Sequence, residues 1–112
     1  MTGHKKGLWA EKLAGIYLLL KGYRPLASRY KTRLGEIDLV VKKGRVLAFI
    51  EVKMRKKGRD AAEAIHAENQ QRVRRAAELY LQKHPEYTNL DIRFDAVIMA
   101  RGALPQHIKG AF

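Results

Sequence analysis

The pattern of apolar and polar positions divides the chain into six elements. From Gly7 to Lys21 apolar residues recur at helical spacing, with Trp9, Leu13, Ile16 and Leu20 in one stripe and Gly7, Glu11, Ala14 and Leu18 in a second. Apolar on two sides, this helix is expected to be buried on two sides, and Gly22 ends it as a C-cap. Glu11 has two readings: a helix carboxylate paired with Lys12 or a neighbouring arginine, or a functional acid. Tyr23 to Tyr30 follows as a strand, placed at a sheet edge because Pro25 cannot donate to a ladder.

The stretch from 35 to 55, GEIDLVV-KKGR-VLAFIEVKMR, reads as a β-hairpin. A two-residue turn at Lys43-Gly44 pairs 42 with 45, so that 38 faces 49 and 36 faces 51. Glu36, Asp38, Glu51 and Lys53 then share one face, with Ile37, Leu39, Ile50 and Val52 on the other. A three-residue turn with a bulge at Gly44 would slip the register by one and separate Asp38 from Glu51.

Asp60 with Glu63 makes a capping box for a second helix, which runs to about His84 before Pro85 stops it. Ile65, Val73, Ala76, Ala77 and Tyr80 form its buried stripe, with Asn69 in the same stripe and His66 read as a core histidine. Leu90 to Met99 is the last clear strand, and its far half is apolar on both sides, as an interior strand is. The long helix before it implies a return parallel to the 46–53 strand by a right-handed crossover. Arg93 and Asp95 read as a structural ion pair, and 102–112 as a short tail. The expected fold is one α/β domain over 1–112, order αβββαβ, with a mixed sheet of about four strands flanked by helices.

Charge adds a partner to this outline. The chain has 23 Lys and Arg against 11 Asp and Glu, a net charge of +12, which favours an anionic polymer, most often nucleic acid. It has no cysteine, which excludes disulfides, zinc ribbons and thiol catalysis. LAGIYLLL (13–20) is too short to span a membrane and lacks a small-residue cleavage site, so a cytoplasmic protein is expected, with no membrane partner.

Carboxylates on apolar strands are costly unless they are paired or bind a cation. Asp38, Glu51 and the backbone carbonyl of Val52 suit Mg²⁺ or Mn²⁺, which take hard oxygen ligands and leave sites for water and phosphate. Lys53 beside them can orient water and stabilise developing charge. For phosphate contacts the candidates are Arg33, at the end of the alternating row Arg29, Lys31 and Arg33, then Arg55, Lys56, Lys57 and Arg59 in the following loop, and Arg72 on the second helix. Each also reads as an ordinary solvated surface.

The chain resembles the uncharacterised bacterial YraN-type family, which is assigned to the restriction-endonuclease-like superfamily of PD-(D/E)xK nucleases. The residues that carry the resemblance are Gly7 to Ala14 with Glu11 inside, Gly22-Tyr23, Gly35-Glu36-Ile37-Asp38-Leu39, Phe49-Ile50-Glu51-Val52-Lys53 with Arg55, Arg93-Phe94-Asp95, His107-Ile108 and Ala111-Phe112. It implies a restriction-endonuclease-like αβββαβ core, Asp38 and Glu51 as metal ligands, Lys53 as the catalytic lysine and Glu11 as the first-helix acid of the site. The chain departs from the family's pattern at Asn69, where a lysine is usual, at Leu34, where a second glycine is usual, and at Arg29, which replaces a common asparagine. The function expected is a metal-dependent nuclease-like protein acting on DNA, with a homodimer compatible with its small size. The alternative is a non-catalytic nucleic-acid-binding or docking module of the same fold. An RNA-binding protein is less favoured, since no aromatic stacking platform is visible.

Overall fold

A computed structural model of the chain describes residues 3–55 and 67–112. Along them run α1 (Gly3–Leu20), β1 (Arg24–Lys31), β2 (Glu36–Lys43), β3 (Val46–Arg55), α2 (Ala67–Lys83), a 3-10 turn (Pro85–Tyr87), β4 (Asp91–Ala100) and β5 (Gln106–Ile108). The strands form one mixed sheet in the order β1-β2-β3-β4-β5. Pro25 lies on β1, an edge strand as expected, and β3 and β4 run parallel. A parallel pair needs a long crossover, and the segment containing α2 supplies it. The capping box at Asp60 and Glu63, together with Ile65 and His66, lies outside the described residues.

Each helix covers one face of the sheet. Ala10, Ala14 and Leu18 of α1 pack on Leu39, Val41, Ala48, Ile50, Val97 and Met99. On the other face Val73, Ala76, Ala77 and Tyr80 of α2 pack on Ile37, Val40, Leu47 and Phe49. Phe49 stacks on Phe94 with ring centroids 5.6 Å apart, and the Arg74 guanidinium caps Phe94 at 4.5 Å. Arg74 of α2 is therefore tied to the core by its guanidinium plane.

Four expectations need correction. Only one stripe of α1 is buried: Trp9, Ile16 and Leu20 are 47%, 54% and 82% exposed. The helix needs one face to dock on a sheet, and no described element lies over its outer side. The hairpin turn is Gly44-Arg45, with Lys43 paired to Val46, and partner numbers sum to 89 rather than 87. Glycine is wanted at the first central position, where the backbone takes a positive φ, and Gly44 has φ +59°. The tail holds a fifth strand, whose Ile108 packs with Ala111 against Ala96 and Ile98. This short strand shields what would otherwise be the open edge of β4.

The fourth correction concerns the faces of β2. Leu39 and Val41 join the α1-side core, but Ile37 joins Val40 on the α2 side. Strict alternation would put Ile37 with Leu39, so the pleat breaks at Asp38. The break is matched on β1 by Arg29, which lies between the pairs Ser28–Leu39 and Tyr30–Ile37 and has φ +51°. Left-handed backbone costs an arginine about 1 kcal/mol, whereas asparagine tolerates it. Arg29, Lys31 and Arg33 therefore do not form one row: Arg29 interrupts the alternation and β1 stops at Lys31.

Candidate metal and phosphate site

The break in β2 opens the sheet where the acids lie. Backbone pairing of β2 with β3 runs from Lys43–Val46 to Leu39–Ile50, and Asp38 sits just past it. Instead of backbone, its side chain meets β3: the Val52 N–H donates to Asp38 Oδ2 at 2.7 Å. The N–H and C=O of one strand residue point to the same neighbouring strand, so the Val52 carbonyl also opens into this fork. The parity of the register is the one the site requires, but the acids converge through the fork rather than across a flat face.

Around the fork lies a cavity of about 190 Å³ whose lining includes Glu11, Glu36, Asp38, Glu51, Val52, Lys53 and Arg72. Every residue of the expected metal site and catalytic set therefore meets there, with one of the phosphate candidates, Arg72. Arg33 does not line it; it is exposed in the turn that Thr32 Oγ1 closes by accepting from the N–H groups of Leu34 and Gly35 at 3.1 and 3.0 Å. The Arg55 side chain, Lys56, Lys57 and Arg59 lie outside the described residues, as does the Asn69 side chain. Lys31 borders a small adjoining recess with Arg29, Glu11 and Asp38, a position its spacing did not single out.

The four acids are unequally supplied with partners. Glu11 lies 3.5 Å from the Arg29 guanidinium, which settles its ion-pair partner as an arginine from β1. Glu51 is buried and its Oε1 lies 3.2 Å from Lys53 Nζ. Its Oε2 is buried without a hydrogen-bond partner among the described residues. Burial pushes the Asp38 carboxyl up to about 6; the Val52 N–H opposes this, while Glu11, Glu51 and Glu36 add to it by repulsion. Among the described residues, the cavity thus holds more negative charge than its cations answer.

Hard oxygen donors, an orphaned buried carboxylate oxygen and mutual repulsion fit a divalent cation. Among the described residues no three Asp, Glu or His side chains are grouped to hold a metal by themselves. Asp38, Glu51 and the Val52 carbonyl are the residues that would hold it.

Gly35 has a role that the motif alone did not reveal. A Cβ built on it would lie 2.0 Å from the Arg72 carbonyl oxygen, so only glycine lets the start of β2 touch α2 there. This contact sets Arg72 beside the cavity. A glycine directly before Glu-Ile-Asp was the available signal.

A second acid, Asp95, is buried across the sheet. It accepts from Arg93 Nε at 2.8 Å, from Arg93 Nη2 at 2.8 Å and from the Gly110 N–H at 3.0 Å. His107 Nε2 lies 2.8 Å from Asp95 Oδ2, the oxygen that also accepts from Arg93 Nη2, and Lys21 Nζ lies 2.8 Å from His107 Nδ1. Burial alone would raise Asp95, but the bonds from His107, Arg93 and Gly110 prevail and hold it down at about 2. The ion pair expected of Arg93 and Asp95 is present, inside a larger network that also holds β5.

Comparison with known proteins places these residues in a family. The model of the family described as "Uncharacterised protein family UPF0102" matches residues 10–99, which include Glu11, Asp38, Glu51, Lys53 and Asp95. A UPF0102 protein of Rhodopseudomonas palustris (strain BisA53) is 50% identical over 112 residues, covering 100% of this chain and 86% of the relative. One from Nitrobacter winogradskyi is 48% identical over 106 residues, 95% of this chain and 90% of the relative. A third, from Parvibaculum lavamentivorans, is 46% identical over 112 residues, 100% of this chain and 84% of the relative. With so much of both chains aligned at such identity, this chain belongs to the UPF0102 family.

Proposed function

We propose that the chain is a metal-dependent nuclease-like protein of the restriction-endonuclease-like PD-(D/E)xK kind, which binds DNA and hydrolyses its phosphodiesters. The observation that carries this reading is the buried Glu51 Oε2, without a hydrogen-bond partner among the described residues, in a cavity shared with Asp38 and Lys53. A bound Mg²⁺ or Mn²⁺ would polarise a phosphoryl oxygen and acidify a water. Asp38 and Glu51 bring the oxygen ligands. Lys53 stands where it can stabilise negative charge developing on the phosphate. Arg72 at the cavity wall and Lys31 in the adjoining recess are placed to hold backbone phosphates. Glu11, kept beside Arg29, adds negative charge that opposes ionisation of Asp38 until a cation arrives.

A second reading, a non-catalytic nucleic-acid-binding module, is favoured by one observation: Lys53 is already paired with Glu51. Incubation with branched, single-stranded and duplex DNA in Mg²⁺ or Mn²⁺ separates the two. The enzyme gives metal-dependent cuts that disappear in Asp38→Asn, Glu51→Gln and Lys53→Ala while binding persists. Salt-sensitive retention with no cutting by the unaltered protein would leave only the module. In the absence of DNA, Mn²⁺ is expected to raise the melting temperature more at pH 7.5 than at pH 5, because at the lower pH Asp38 holds a proton the ion must displace.

A further inference from the structure

The outer side of α1 forms one wall of an apolar groove that the cavity chemistry does not use. Trp9, Leu13, Ile16 and Leu20 line it from the helix, and Met99 and Leu104 line it from β4 and the loop that follows. Its volume is about 520 Å³, and Leu104 is 88% exposed. Scattered apolar residues on a surface are ordinary, but a contiguous channel of this kind marks a binding face. From Trp9 to Leu20 the helix wall extends about 16 Å, three turns. A docked helix with anchors at i, i+3 or i+4, and i+7 needs about 10.5 Å, so it fits along this wall.

Among the described residues, the charge beside the groove has one sign. The only acid within α1 is Glu11, which is turned to the metal cavity and lies beside Arg29. Residues 99–112 contain no acid at all. Lys12 is exposed and flanks Trp9 and Ile16 at helical spacing, and Arg101 is exposed on the opposite wall between Ala100 and Gly102. A second copy of the chain would bring its own Lys12 and Arg101, and another net charge of +12, to a face where the described residues offer no acid to meet them. A nucleic acid would find a largely apolar channel where its phosphates need hydrogen-bond donors.

We infer that this groove docks an acidic amphipathic helix of a partner protein, whose apolar ridge fills the channel and whose flanking Asp and Glu meet Lys12 and Arg101. Trp9 is the only tryptophan of the chain, so its emission reports directly on the groove. The full chain is titrated with a synthetic helical peptide carrying Leu on one face and Glu on the other, and with a sibling carrying Lys in place of Glu. Saturable blue-shifting by the Glu peptide is expected, with affinity at least about tenfold above that of the Lys peptide. Ile16→Ser with Leu20→Ser should weaken the Glu peptide by about a hundredfold. Both positions are exposed, and an unchanged denaturation midpoint checks that the fold is kept. Lys12→Ala with Arg101→Ala should erase the preference between the peptides. Equal binding of both peptides, no binding of either, or a Trp9 shift produced by duplex DNA would overturn the inference. So would a shift that grows with protein concentration alone and accompanies a dimeric mass in sedimentation.

Discussion

Asp38 and Asp95 lie on strands of one sheet, and burial pushes both toward the protonated form, yet they titrate in opposite directions. Asp95 has partners on every side: a two-pronged arginine, a histidine and a backbone N–H. Asp38 has one backbone N–H and three carboxylates for company. The first arrangement is what a fold does with a carboxylate it uses as a joint. The second leaves an acid whose ionised form the described residues do not fully answer, the pattern expected of the metal site we propose.

Removing each charge tests the contrast, and the largest effect is expected at Asp95. Asp95→Asn leaves Arg93 without its carboxylate and should cost about 3–5 kcal/mol at pH 7 by chemical denaturation. Because its folded value lies below the ordinary one, about 2 kcal/mol of this stability belongs to the ionised carboxylate; that part is present above about pH 4 and is lost as the pH falls toward 2. The gap between the variant and the parent should therefore narrow by that amount in acid. A cost under 1 kcal/mol would mean that the network is decorative.

The opposite sign is expected at Asp38, at smaller size. Its folded value lies above the unfolded one, so the native state favours the proton and loses about 3 kcal/mol as the pH rises from about 4 to 6. Without divalent ions, Asp38→Asn should gain about 2 kcal/mol at pH 8 and nothing at pH 4, since the amide oxygen can still accept from Val52. Equal destabilisation at both pH values would show Asp38 to be a joint like Asp95. The smallest effect concerns the break that admits Asp38 to the fork. Arg29→Asn relaxes the left-handed backbone but loses the contact with Glu11, and the two should cancel to within about 1 kcal/mol.

Much of this was legible in the sequence. Helical and strand periods placed α1, the hairpin and β4, Pro25 marked the edge, and a long crossover implied the parallel pair. The acids and Lys53 stood out because charge on an apolar strand is expensive. What escaped depended on contacts between distant residues. Nothing local in Ser28-Arg29-Tyr30 announces a positive φ, and the change of side between Ile37 and Leu39 follows from it. The two apolar stripes of α1 were visible, but which one the sheet would take is decided by the small residues Ala10 and Ala14 fitting against it. Three residues of β5 are too few for a period, and β4 is what holds them.

One bond of the Asp95 network bears on how the chain reaches its native state. Lys21 and His107 are 86 positions apart, and their contact fastens the end of α1 to the fifth strand. Closing so large a loop is entropically unfavourable, and the reward arrives only once β4 has brought Asp95 beneath the imidazole. The sheet's central pairs should therefore assemble first and this clasp last, so that a slow phase reported by protection of the Gly110 amide would be the final event of folding.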